Sequence, residues 1–68
     1  MERVIRLNWQ ALVKEAITRR KAQHLTQKQL AVLAQVSHPV VNNFEQGKTE
    51  ITLSSAMKIL QCLGLLET

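Results

Sequence analysis

Between Ser37 and Gln46 the chain places one imidazole, His38, and three carboxamides, Asn42, Asn43 and Gln46, within a single short stretch. At helical spacing Val41 and Phe44 point one way, while His38, Pro39, Asn42, Asn43 and Gln46 share the other side. A carboxamide presents a donor and an acceptor side by side, which suits the adenine edge in the major groove. An imidazole can donate to a base acceptor, and Val40, at the boundary, can touch a thymine methyl. Glu45, the one acid in this stretch, falls off that face and need not repel phosphate. The plainer alternative is a solvated helix face.

Other chemistries find less support. The chain has no Asp and no Tyr, and its five acids are scattered. Gly47 and Gly64 are the two glycines, so there is no glycine-rich phosphate loop. His24, His38 and Cys62 lack the spacing of a metal site. We therefore expect no enzyme, no cofactor and no metal. The lone cysteine forms no internal disulfide, which favours a reducing cytosol for so small a domain. No apolar run is long enough to span a membrane, and no signal-peptide pattern opens the chain.

Charge points toward a polyanion. The 68 residues carry a formal net charge of +4, with a sequence pI near 9.9. Lys14, Arg19, Arg20, Lys21 and Lys28 face one acid, Glu15, in that interval. Nucleic acid or an anionic membrane surface is the natural partner of such a charge. The competing reading of Arg19, Arg20 and Lys21 is a helix C-terminus, where cations suit the dipole. Hydrophobic residues make up 46% of the chain, enough for one packed core of Leu, Val, Ile and Ala.

These side chains need elements to hold them, and the sequence marks four helices. Asn8 caps the first, whose apolar face is Trp9, Leu12, Val13, Ala16 and Ile17, running to about Lys21. Thr26 and Gln29 form a capping box for the second, with Leu25 and Leu30 placed as a staple. Leu30, Leu33 and Ala34 are expected to face inward, and the helix to stop near Gln35. Ser37 or His38 caps the third, with Pro39 in its first turn and Val36 and Val41 as a second staple if Ser37 is the cap. Gly47 suits the left-handed turn after Glu45. Thr52 caps the fourth, with Leu53, Ala56, Met57, Leu60 and Leu63 on one side and Gly64 at its end. Residues 1–7 are expected to be an arm or an extended segment. The fold class is an all-α compact bundle of four or five short helices, read as a single domain over 1–68 with its helix-turn-helix at 26–45.

Two short helices joined by about three residues are the geometric content of a helix-turn-helix. The segment Leu25 to Gly47, LTQKQLAVLAQVSHPVVNNFEQG, resembles the helix-turn-helix of the phage repressor family, also called the xenobiotic-response-element type. The residues that carry the likeness are Leu25, Thr26, Gln27, Leu30, Ala31, Val36, Ser37, Val41, Phe44, Glu45 and Gly47. Thr52 to Leu65 is similar to the family's fourth helix.

The resemblance implies roles. Gln27 would hold a phosphate through its side chain and the helix N-terminus beside Thr26. Ser37 would cap the recognition helix and touch phosphate. His38, Pro39, Asn42 and Asn43 would face base edges, and Lys48 and Thr49 the backbone. Arg20 would pair with Glu45. The chain departs from the family at Gln35, where glycine is usual, at Pro39, which is an apolar reading position, and at His24, where glycine is frequent. It also lacks room for the fifth helix that often makes the dimer; either it is part of a longer protein, or the arm or fourth helix takes that role.

The expected function is sequence-specific binding of double-stranded DNA by a cytoplasmic transcriptional regulator, acting as a homodimer. The alternative is an antitoxin-like or other protein-interaction module, with Val4, Ile5, Leu65 and Leu66 as the patch for a second protein such as a toxin or the transcription machinery.

Overall fold

The computed structural model describes residues 8–66. The expected N-terminal arm, with Val4 and Ile5, lies outside them. Four helices follow in order: α1 (Trp9–Ala22), α2 (Gln27–Ala34), α3 (His38–Glu45) and α4 (Leu53–Cys62). There is no strand among the described residues.

Each helix begins where a short side chain replaces a missing backbone partner. Asn8, Thr26, Ser37 and Thr52 are all extended, and each accepts from the N–H three residues on. At Thr26 the box is complete: Gln29 N–H donates to the Thr26 hydroxyl at 3.0 Å, and Thr26 N–H donates to Gln29 Oε1 at 2.9 Å. Ser37, rather than His38, is the cap of α3, which leaves Pro39 in the first turn, where its missing N–H costs nothing.

All four helices close in the same way. A residue with positive φ reverses the chain, and the next N–H reaches back five residues to a carbonyl. The pairs are Leu25 to Arg20 at 3.1 Å, Val36 to Ala31 at 3.0 Å, Lys48 to Asn43 at 3.1 Å and Leu65 to Leu60 at 2.9 Å. Gly47 and Gly64 take the left-handed position after α3 and α4, but His24 (φ 58°) and Gln35 (φ 60°) take it after α1 and α2. Those two departures from glycine therefore keep the turn and accept its strain, on the order of 1 kcal/mol each.

The core joins all four helices. Val13 and Ala16 of α1, Leu30, Ala31 and Ala34 of α2, Val41 and Phe44 of α3, and Ala56, Ile59 and Leu60 of α4 are buried, with Leu63 just beyond. Trp9 meets Phe44 edge to face, with ring centroids 5.5 Å apart. Its indole N–H donates to the Gly47 carbonyl at 3.2 Å, which ties the start of α1 to the end of α3.

Two stripes differ from the expectation. On α2 the inward set is Leu30, Ala31 and Ala34, while Leu33 is 58% exposed. Ala31 and Leu33 flank the same face, and α2 packs against both α3 and α4 on the alanine side. On α4, Leu53 and Met57 are exposed and Ile59 is fully buried. The true face is turned by about 50° from the expected one, at 100° per residue. Leu65 and Leu66, half of the expected partner-binding patch, are partly buried against the core.

Candidate nucleic-acid interface

Helix α3 is held by its apolar residues and by one ion pair. Val41 and Phe44 are fully buried, which fixes the helix in rotation. At its C-terminal end Glu45 meets Arg20 of α1 in a two-bonded fork, with Nε to Oε2 at 2.6 Å and Nη2 to Oε1 at 3.1 Å. Both side chains are about nine-tenths buried. Arg20 also donates to the Leu25 carbonyl at 2.7 Å, so the same guanidinium anchors the entry to α2. The Arg20–Glu45 pair implied by the family resemblance is present.

The basic run divides by use. Arg20 is internal, and Arg19 donates to the carbonyls of Leu63 (3.4 Å) and Gly64 (3.2 Å), which places a cation at the C-terminal end of α4. Arg19 also approaches Glu15 at 3.6 Å across an exposed pair. Lys21 is exposed at the last turn of α1. Two of the three charges are therefore structural, but neither is the solvated cation at its own helix end that the plainer reading offered. Nothing near Arg19 in sequence signals its partners, which lie 44 and 45 positions away.

The outward face of α3 carries the expected side chains. His38, Pro39 and Asn42 are exposed and Asn43 is half-buried. With Gln27 of α2, the first three line an open groove of about 340 Å³. No carboxylate lines it. Glu45 is turned away into its pair with Arg20, so the groove has no fixed negative charge of its own.

The other site residues fall around this face. Thr26 and Ser37 are exposed caps at the starts of α2 and α3. Lys48 and Thr49 are exposed just after α3. Lys48 Nζ lies 3.5 Å from Asn43 Oδ1, so these two are brought together, while Thr49 stands apart beside Trp9 and Ile51.

Gln27 has a position that the sequence did not reveal. Its amide nitrogen donates to Glu45 Oε1 at 2.9 Å, and its amide oxygen lies 3.3 Å from His38 Nε2. One side chain thus links the buried ion pair to the first residue of α3. The phosphate role expected for the Gln27 amide has to share that amide with two protein partners, whereas the N-terminus of α2 stays exposed beside it.

With this geometry in place, comparison with known proteins is direct. The helix-turn-helix family profile matches residues 18–67. An uncharacterized HTH-type transcriptional regulator of Haemophilus influenzae is 41% identical over 54 residues, covering 79% of this chain. The aligned region is 55% of that relative's length, so the chain spans about half of it. Among the described residues no helix is long and apolar enough to cross a membrane. A capped helix pair with a left-handed turn, an acid-free outward face and a match over most of the chain converge: the protein belongs to the helix-turn-helix family of the xenobiotic-response-element type, a family of DNA-binding regulators rather than enzymes.

Proposed function

We propose that the chain binds double-stranded DNA sequence-specifically with α3 in the major groove, as a homodimeric cytoplasmic regulator of transcription. The observation that carries this reading is the outward face of α3: His38, Pro39, Asn42 and Asn43 stand together with no acid among them. Asn42 and Asn43 supply donor–acceptor pairs for base edges, and Pro39 an apolar contact. Ser37, Thr26 and Gln27 lie at helix N-termini, where backbone N–H groups suit phosphate. Lys48 and Thr49 follow α3 and reach the backbone. Phosphate contacts of this kind set register, and the α3 side chains set preference.

Two copies would set their α3 helices about 34 Å apart, one turn of DNA, on a near-palindromic site. The test is selection of sites from a random DNA pool at near-physiological salt, alongside the variant Asn43→Ala. The expected result is a short motif with two-fold symmetry. Asn43→Ala should cost about 1–3 kcal/mol and relax preference at one base pair. A pool that stays unenriched would remove the reading, and a motif without symmetry would remove the dimer.

A further inference from the structure

The chain of contacts from Arg20 to His38 has a direction. Glu45, forked to Arg20, can only accept hydrogen bonds through its carboxylate. The nitrogen of the Gln27 amide must therefore face it, as the 2.9 Å contact requires. The Gln27 oxygen is then the group turned to His38 Nε2 at 3.3 Å. An amide oxygen only accepts, so a hydrogen bond at this contact needs the proton on Nε2. In a neutral imidazole with its proton on Nε2, the other nitrogen, Nδ1, is an acceptor. His38 is exposed at the first turn of α3 and lines the groove with Pro39 and Asn42.

We propose that the Arg20–Glu45–Gln27 relay fixes the tautomer of His38, so that its neutral ring reads DNA as a hydrogen-bond acceptor and selects a base bearing an amino group. This rests on α3 being the DNA-reading helix and names what one of its residues recognises. It reverses the simpler expectation that the histidine donates, because the relay has already engaged the proton. In the major groove the amino groups are adenine N6 and cytosine N4, whereas guanine and thymine present acceptors. The preference is therefore for adenine or cytosine over guanine or thymine, on one strand, at one position. Asn42 has both a donor and an acceptor and carries no such polarity.

Two measurements test this separately. The first is on the free protein at about pH 8. Two-bond proton–nitrogen correlation reports which ring nitrogen is protonated, with the His38 signals identified by their loss in His38→Gln. The expected result is an unprotonated Nδ1 in the wild type, and nitrogen shifts that move toward each other in Gln27→Leu as the tautomers mix. A protonated Nδ1, or shifts that ignore Gln27→Leu, would overturn the relay and leave DNA binding untouched.

The second is site selection from a random pool at the same pH. One position should favour adenine or cytosine by about fivefold, the worth of a single neutral hydrogen bond. His38→Lys, which has donors only, should move that position to guanine or thymine. A position that responds to Asn43→Ala while none responds to His38→Lys would overturn the readout by His38 alone. A pool with no enrichment would overturn it together with the reading on which it rests.

Discussion

Helices α2 and α3 are each eight residues long, each opens on a hydroxyl cap, and each closes in a left-handed turn. Their outward faces nevertheless have opposite chemistry. On α2 the exposed residues include Val32 and Leu33, which with Leu25, Lys28 and Gln29 line an apolar groove. On α3 the exposed set is an imidazole, a proline and an amide, with a second amide half-buried beside them. The same backbone mould thus yields one face dominated by hydrogen-bonding groups and another dominated by apolar ones. The difference lies in side-chain phase. The buried pair Val41 and Phe44 turns the amides outward, whereas burying Ala31 in place of Leu33 turns two large apolar residues outward.

The strongest way to break this comparison is to remove what sets the phase of α3. Phe44→Ala should lower stability by about 3–5 kcal/mol, because the ring is wholly buried and leaves a cavity. Val32→Ala, on the exposed side of α2, should change it by less than about 0.5 kcal/mol. Urea melts of the two variants check both values, and similar losses would mean that the two faces do not differ as described.

Almost as large is the expected effect of the ion pair that anchors α3. Glu45→Ala should cost about 3–5 kcal/mol, since it strands a nearly buried guanidinium. Glu15→Ala breaks a pair whose side chains are half-exposed, and should cost no more than about 0.5 kcal/mol. Equal melting temperatures for the two variants would reject the structural role of the Arg20 fork.

A smaller effect sharpens the likeness between the two helices. Gln35→Gly should stabilise the protein by up to about 1 kcal/mol by relieving the left-handed turn after α2. Gly47→Ala should destabilise it by a similar amount after α3, from backbone strain alone, since an added Cβ meets nothing within 4 Å. Thermal unfolding of the pair reads both signs, and a destabilised Gln35→Gly would show that the glutamine side chain itself is needed. The smallest effect concerns the flank of the face proposed to read DNA. Lys48→Ala should weaken all DNA sequences alike and reduce the salt slope by about 1. A loss confined to one sequence would instead make Lys48 part of base reading through its contact with Asn43.

What could be read from the chain follows the range of each interaction. Caps act within three residues, so Asn8, Thr26 and Thr52 marked three helix starts before any packing was known, and Ser37 was one of two candidates for the fourth. Closing turns act within five, so Gly47 and Gly64 marked two of the ends. Arg20 and Glu45 are 25 positions apart, and only the family resemblance joined them in advance. Leu33, Leu53 and Met57 were placed on the wrong side because a helix with apolar residues on two adjacent flanks does not itself choose between them. The neighbours make that choice, and on α2 the smaller Ala31 lets α3 and α4 come close.

By itself, then, the sequence marked the four helices of the described residues, three of their caps outright, the helix-turn-helix and the identity of the side chains on the face of α3. These depend on backbone hydrogen bonds and periodicity, which are local. The tertiary structure alone decided that Arg19 serves the end of α4, that Ile59 rather than Met57 fills the core, and that Gln27 connects Glu45 to His38. Each of these depends on where separate helices stand relative to one another, and that is set by the packing of the whole bundle.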